Sequence, residues 1–164
     1  MKVKIKKLSS DAKLPVQGKP GDFCYDVWAV TEEEVAPDVW MYGLGFKYEI
    51  ERDETFRAFP SFDPFGKKCV LDDYNVCISF RPRSSIWTTG MVLSNSEGTL
   101  DEFYRGEAKA VFYHLMTKME RYHAGEKIGQ ICVSISPKVE FVEVDEINED
   151  TERGDGGFGS TGRK

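Results

Sequence analysis

The chain has 164 residues and a formal net charge of −6, with 40% hydrophobic and 30% charged residues. That size suits one domain with a real core and leaves little room for a second, and the acidic balance argues against a general nucleic-acid binder, which would carry a basic surface. No apolar run approaches the roughly 20 residues of a membrane span, and MKVKIKKLSS at the N-terminus has no apolar stretch behind its lysines, so neither membrane nor signal peptide is expected and the cytoplasm is the expected compartment.

In chain order, the dominant period is two. Val3 and Ile5 alternate with lysines. Arg52 to Asn75 is rich in Phe, Pro and charge and reads as a long insertion between strands. Within it Phe56, Phe59, Phe62 and Phe65 recur every third residue, and Pro60 and Pro64 disfavour a helix. A loop whose rings pack on the body of the protein is expected there. Val76, Ile78 and Phe80 alternate in NVCISF, and Ser84 to Thr88 suits one helical turn after Pro82. Ala108 to Leu115 is more continuously apolar, as expected for a strand buried on both faces. Met116 to Tyr122 suits a second helical turn. Ile131, Val133 and Ile135 alternate again, and Lys138 to Val144 reads as one more strand. Short runs of this kind, broken by Gly, Pro, Asn and Asp, predict an all-β sandwich or barrel with no helix of three turns and no internal repeat.

Cys24, Cys69, Cys77 and Cys132 form no C-x-x-C pair, and His114 and His123 are the only histidines. A zinc site would need clustered ligands, so four free thiols serving as small core residues are expected. The C-terminal ERGDGGFGSTGRK has the composition of a disordered tail. It is not a P-loop, because G-x-x-x-x-G-K-[ST] is missing. Its parts nonetheless suit a phosphate clamp: glycines that let backbone N–H groups approach oxygens, Arg153 and Arg163 for charge, Ser160 and Thr161 as hydroxyl donors. An acidic protein can hold a polyphosphate in this local way, with a metal ion.

Five segments carry candidate chemistry: Asp26 in FCYDVWA, Arg83-Ser84-Ser85 in RPRSSIW, the run from Asn95 to Lys109, Gln130 in GEKIGQI, and RGDGGFGSTG. Singly, each has a plainer reading. Asp26 suits a turn or cap, Arg-Ser-Ser a strand end, GTLDEFYRGE a β-hairpin with glycines at its turn, and Gln130 a solvated strand position.

Together and in this order they resemble the trimeric dUTP pyrophosphatase family, from about Pro20 to Gly162 with the insertion excepted. RGDGGFGSTG resembles the family's R-G-x-G-G-F-G-S-T-G, GTLDEFYRG its G-x-I-D-x-D-Y-x-G, PRSS its P-R-S-G or P-R-S-S, GEKIGQ its G-x-R-I-A-Q, and FCYDVWA, more loosely, its A-G-x-D-L-x-A. The resemblance implies a single β-barrel or jelly-roll-like domain over residues 1–151 with a flexible arm over 152–164. It implies a homotrimer whose active sites lie between subunits, and Mg²⁺-dependent hydrolysis of dUTP to dUMP and pyrophosphate, which supplies dUMP and keeps uracil out of DNA. It also implies residue roles. Asp101 would activate the attacking water. Tyr104 would lie under the deoxyribose and leave no room for a 2′-hydroxyl. Asn95 and the backbone of Gly98, Thr99 and Leu100 to Asp101 would read uracil, with Lys109 near the same pocket. Arg83, Ser84, Ser85 and Gln130 would hold phosphates, and Asp26 would hold Mg²⁺ through water. Arg153, Gly159, Ser160 and Thr161 would clamp the terminal phosphate, and Phe158 would stack on uracil.

Phe103 replaces the family's second Asp, Cys24 its usual Gly, and Ser85 the Gly found in many members. A dCTP deaminase on a related fold is the nearest rival. Its chemistry needs a Glu on the strand after the GTLDEFYRG segment, where this chain has Val111, which cannot move a proton. A non-catalytic binding module of the same fold is the other rival, and it would have no need of Asp101.

Overall fold

A strand buries one face and needs a hydrogen-bonding neighbour at its edges. The computed structural model describes residues 1–52, 74–152 and 154, and meets both needs with ten strands among them. In chain order these are β1 (Lys2–Lys7), β2 (Tyr25–Trp28), β3 (Thr31–Ala36), β4 (Val39–Gly43), β5 (Phe46–Glu51), β6 (Tyr74–Pro82), β7 (Met91–Leu93), β8 (Gly98–Asp101), β9 (Lys109–His114) and β10 (Lys127–Pro137). A short 3-10 helix, Ser84–Thr88, follows β6 as the sequence predicts. Two antiparallel sheets, β2-β10-β6-β8 and β3-β4-β9-β7, pack across one core, and β1 pairs with β5 beside them. The sheets do not close into a barrel; the arrangement is jelly-roll-like.

The core joins the sheets through aromatic rings. Phe80 of β6 meets Phe112 of β9 edge-on at 6.1 Å between centroids, and Phe112 meets Tyr42 of β4 at 5.8 Å. Edge-to-face pairs of this kind contribute about 0.5–1.5 kcal/mol each beyond area burial. Strands β6 and β10 pair in unbroken register from Gly129 opposite Pro82 to Pro137 opposite Tyr74. Val76, Ile78 and Phe80 therefore face the core, while Cys77, Ser79 and Arg81 face the other way, beside Ser134, Cys132 and Gln130.

Several expectations are corrected. The strand at Ala108 to Leu115 alternates: Ala110, Phe112 and His114 are buried, while Lys109 and Tyr113 are exposed, because its sheet covers the core on one face only. Met116 to Tyr122 makes a single turn, Met119 N–H to Met116 O at 2.8 Å, and no helix. GTLDEFYRGE is not a hairpin. Strand β8 pairs with β6 and β9 pairs with β4 and β7, so the segment carries the chain from one sheet to the other. Lys138 to Val144 forms no strand; β10 ends at Pro137, and beyond it Val139, Phe141, Val142 and Val144 stand exposed, with Phe141 93% accessible. The strand-like pattern is there, but among the described residues no strand edge receives it. Cys24, Cys77 and Cys132 are free thiols, as expected, and Cys132 is buried, whereas Cys77 is only half-buried beside Ser79 and Ser134; Cys69 lies outside the described residues. The insertion is shorter than Arg52 to Asn75, since Tyr74 and Asn75 already belong to β6; its four phenylalanines lie outside the described residues.

Gly129 shows how tightly the β6–β10 ladder is packed. A Cβ there would lie 2.2 Å from Phe80 Cζ, in the space the buried ring fills. Gly129→Ala is expected to destabilise the fold by about 1–3 kcal/mol, the usual cost of overpacking a core. Adding Phe80→Leu should recover part of that loss, and a double-mutant cycle by denaturant unfolding measures it. Additive losses would mean that the two residues do not compete for one space.

Candidate active site

The polar face of the β2-β10-β6-β8 sheet gathers most of the candidate residues. Register places Asp26 of β2, Gln130 of β10 and Arg81 of β6 in one row across three strands. Asp26 Oδ2 accepts a hydrogen bond from Lys127 Nζ at 2.8 Å, a largely shielded ion pair. Lys127 also lies over the Trp28 ring, 5.2 Å from its centroid. Gln130 donates from Nε2 to Pro82 O at 3.4 Å and is half-buried, not a freely solvated side chain. Arg81 reaches Glu97 at 3.4 Å.

Arg83 extends the strand (φ −75°, ψ 155°) before the 3-10 helix begins. The helix is held by Ile86 N–H to Arg83 O at 3.0 Å and by Thr88 and Thr89, whose hydroxyls donate back to Ser85 O and Ile86 O at 2.9 and 2.6 Å. Arg83 and Ser85 thereby line a pocket of about 520 Å³ with Lys127 and Tyr122; Ser84 points into solvent.

Asp101 lies at the end of β8, opposite Cys77, with its side chain exposed. The turn behind it is braced at many points. Asp101 O accepts hydrogen bonds from the Tyr48 hydroxyl and from Tyr104 N–H, the latter at 3.0 Å. Burial pushes the Tyr48 phenol up to about 12, with the Asp101 carboxylate adding to the shift, so it remains a donor across the physiological range. Arg52 pairs with Glu102 through two hydrogen bonds, and Arg105 donates to Glu102 O at 2.8 Å. The Tyr104 hydroxyl donates to Glu107 O at 3.1 Å, which folds its ring over Gly106. A Cβ at Gly106 would meet Tyr104 Oη at 2.1 Å, so the position excludes any side chain while the ring is there. Asp101 and Thr99 line a separate pocket of about 460 Å³ with Cys77, Ser134 and Phe103, which is 80% exposed.

The remaining candidates surround these groups. Gly98 sits on Phe80, where a Cβ would come within 3.1 Å of Phe80 Cβ; Leu100 packs against the core; Asn95 is exposed in the turn before β8. Lys109 opens β9 with its ammonium 3.9 Å from Glu107. Val111, half-buried in β9 opposite Met41, offers no proton-moving group. Arg153, Phe158, Gly159, Ser160 and Thr161 lie outside the described residues.

Along β6, Cys77 and Arg81 are four residues apart, or ~13 Å at the usual strand rise, and Arg83 is ~20 Å away. One chain thus presents a carboxylate on a braced turn and, farther along the same face, a group of side chains able to donate hydrogen bonds. Sequence reasoning missed Lys127, although it occupies the Arg position of G-x-R-I-A-Q. It also missed Tyr48, Glu102 and Glu107, whose bracing contacts are long-range or backbone-directed and leave no local pattern. Among the described residues no cluster of three or more His, Cys, Asp or Glu side chains suits a metal ion. Asp26 has one carboxylate oxygen on Lys127 and the other without a hydrogen-bond partner. A single free carboxylate oxygen fits Mg²⁺, which keeps several waters and takes most of its remaining ligands from phosphates.

Residues 10–162 match the model of the dUTPase family. The deoxyuridine 5'-triphosphate nucleotidohydrolase of Hydrogenobaculum sp. is 33% identical over 165 residues, covering all of both chains. The dUTPase of Staphylococcus bacteriophage 80alpha, solved with dUPNHPP, shares the fold with a TM-score of 0.70 at 20% identity, covering 99% of each chain. A mutant dUTPase of S. aureus phage phi11, solved for the coordination of a structural Mg(II) ion, superposes with a TM-score of 0.61 at 15% identity over 90% of this chain and 99% of its own.

The bracing of the turn can be tested at Gly106. Gly106→Ala is expected to expel the Tyr104 ring and break its bond to Glu107 O, at a cost of about 1 kcal/mol for one hydrogen bond in an exposed segment. Amide exchange across residues 102–108 should quicken while the sheets keep their protection. Unchanged exchange in that segment would contradict the bracing role.

Proposed function

This chain belongs to the dUTPase family, and from that premise we propose that it hydrolyses dUTP to dUMP and pyrophosphate. The observation that carries the reading is the exposed Asp101 carboxylate, held on a turn braced through Tyr48, Arg52 and Tyr104 and sharing a sheet face with the phosphate-type ligands. Asp101 takes a proton from a water aimed at the α-phosphorus. A carboxylate suffices as base there, since the enzyme's main tasks are alignment and charge neutralisation. Arg83, Ser85 and Gln130 hold phosphate oxygens, and preorganised donors of this kind stabilise the charge that builds on them. Asp26 would hold Mg²⁺ through water, and the ion would supply further neutralisation of the triphosphate. The Tyr104 ring, fixed over Gly106, lies against the deoxyribose. Asn95 and the backbone from Gly98 to Asp101 read uracil, with Lys109 beside them; a mismatched base would leave buried polar groups unpaired. Strand β8 takes the reading role that a hairpin would have had, with its outer edge unpaired among the described residues. Residues 152–164 act as an arm in which Arg153, Gly159, Ser160 and Thr161 close on the terminal phosphate and Phe158 stacks on the base.

The ~13–20 Å between Asp101 and the phosphate ligands along β6 supports a site completed between protomers of a homotrimer. The exposed Phe141, Val142, Val144 and Ile147 support the same reading, because so many large apolar side chains exposed along one short segment suit contact with another chain. The reaction would supply dUMP and keep uracil out of DNA, and the cytoplasm is the compartment that suits it. Neither rival gains support: Val111 cannot serve a deaminase, and the bracing around Asp101 has no purpose in a binding module.

Pyrophosphate release from dUTP, dCTP, dTTP and UTP with Mg²⁺ present tests the reading; dUTP alone is expected to turn over well, and ammonia release from dCTP would overturn it. Asp101→Asn should lower turnover by about 10² to 10⁴, or roughly 3–5 kcal/mol, with dUTP binding mostly kept. Tyr104→Ala should admit UTP and weaken dUTP binding, seen in paired kcat/KM values. If UTP stays excluded, another group selects the sugar.

A further inference from the structure

Two thiols meet where β2 begins beside β10. The register sets Asp26 opposite Gln130 and Tyr25 opposite Ile131, and continued by one residue it sets Cys24 opposite Cys132. The type of this pair follows from Asp26. Its N–H donates to Val16 O at 2.7 Å and its carbonyl accepts from Val16 N–H at 3.3 Å, so both groups point away from β10. Asp26 and Gln130 are therefore a non-hydrogen-bonded pair, and Cys24 with Cys132, two residues on, is another. Cα atoms in such a pair stand about 4.5 Å apart with their side chains close. A disulfide spans Cα separations of about 4.4–6.8 Å. Period two also puts both cysteines on the face that carries Asp26, Gln130 and Arg81.

The contacts of both thiols agree with that placement. Cys132 Sγ lies 3.8 Å from Ser134 Oγ, which lies 2.9 Å from Ser79 Oγ. Burial pushes the Cys24 thiol up, the Cys132 thiol adds to the shift, and the Arg81 guanidinium opposes it, as suits neighbours on one face. The thiol therefore stays protonated at neutral pH, so the reduced pair is the resting form and reacts slowly. Access divides the roles. Cys24 is partly exposed, whereas Cys132 is only 3% exposed. A small oxidant can meet Cys24, and Cys132 needs to reach only Cys24. Cys24 also replaces the family's usual Gly, which could take no part in such a pair.

We propose that Cys24 and Cys132 form a reversible cross-strand disulfide that staples β2 to β10. The oxidant is a low-molecular-weight disulfide. The Cys24 thiolate attacks one of its sulfurs, and the first small thiolate leaves and takes up a proton. The Cys132 thiolate then attacks Cys24 Sγ, and the second small thiolate leaves in the same way. The protein thiols lose two electrons and two protons, and the small disulfide becomes two thiols. Strand β2 is four residues long and lies at the edge of its sheet, with β10 on one side and the single Val16 bridge on the other among the described residues. The bond ties this edge, two residues from Asp26, to the long strand that sets the register. It also closes a long loop, and long loops are where a cross-link restricts the unfolded chain most.

The test treats the folded, full-length protein with oxidised glutathione and follows it by intact mass, peptide mapping and thermal unfolding. The product should be two hydrogens lighter than the parent, with the peptides of Cys24 and Cys132 joined. Its Tm should rise by roughly 5–15 °C, and a dithiol reductant should return both mass and Tm to their starting values. The double variant Cys69→Ser with Cys77→Ser leaves only the proposed pair and should show the same link and the same shift. Cys24→Ser should abolish both. A glutathione adduct that persists on Cys24, a link to Cys69 or Cys77 in its place, or a Cys24–Cys132 link with unchanged Tm overturns the proposal. Since the parent protein alone gives the peptide map, a variant that fails to fold leaves the test standing.

Discussion

Strands β6 and β10 pair without a break from Gly129 opposite Pro82 to Pro137 opposite Tyr74, and a slip of one residue would turn Val76, Ile78 and Phe80 toward solvent and Arg81 and Gln130 into the core. The core would lose Phe80, its edge-on partner for Phe112 across the two sheets. The site would lose the row Asp26–Gln130–Arg81, because β2 is placed by the same β10 residues. β8 depends on this ladder as well, since it pairs with β6 and carries Asp101 opposite Cys77. One register thus fixes the core and the candidate chemistry together, and Gly129 under the Phe80 ring leaves that register no room for a side chain.

On that frame the charged groups divide into those that hold the protein and those that await a ligand. Glu32 shows the first kind: burial works to raise its pKa, yet hydrogen bonds from Arg121 and Ala124 N–H outweigh it and the net shift is downward. Arg52 with Glu102 is of the same kind and lies next to the site, while Asp26 is of both kinds, with one oxygen on Lys127 and the other left for Mg²⁺ in the proposed function. In the proposed function Arg83 and Ser85, whose side chains have no hydrogen-bond partner among the described residues, are of the second kind. A pocket wall in which some donors are satisfied internally and the rest are free is preorganised for a ligand, because little rearrangement is needed when the anion arrives.

How much of this was legible in the sequence depended on how local the signal was. Val3 and Ile5, Val76 to Phe80 and Ile131 to Val133 announced strands by alternation, and Pro82 before Ser84 announced the short helix. The motif segments located Asp26, Arg83, Asp101, Tyr104 and Gln130 on the chain, but pairing decided where they stand. GTLDEFYRGE looks like a hairpin, yet its two ends join different sheets, and no short-range pattern encodes that crossing. The apolar-rich run from Val139 to Val144 looks like a strand, but strand formation also needs an edge to join, which a sequence pattern does not supply. Cys77 reads as a core residue because its neighbours are apolar, although period two sends it to the opposite face, where it is only half-buried. The braces on the Asp101 turn, from Tyr48 and Arg52, come from about fifty residues away and were invisible for the same reason.

The central claim is that Asp101 of one protomer works with Arg83 of another to hydrolyse dUTP. Complementation tests it directly. Asp101→Asn and Arg83→Ala, each inactive alone, are unfolded together and refolded as a mixture, and pyrophosphate release from dUTP is measured. Random assembly of shared sites predicts recovery of about a quarter of parental activity, because that share of sites pairs an intact Asp101 with an intact Arg83. Activity no higher than that of the separate variants would contradict a site shared between protomers.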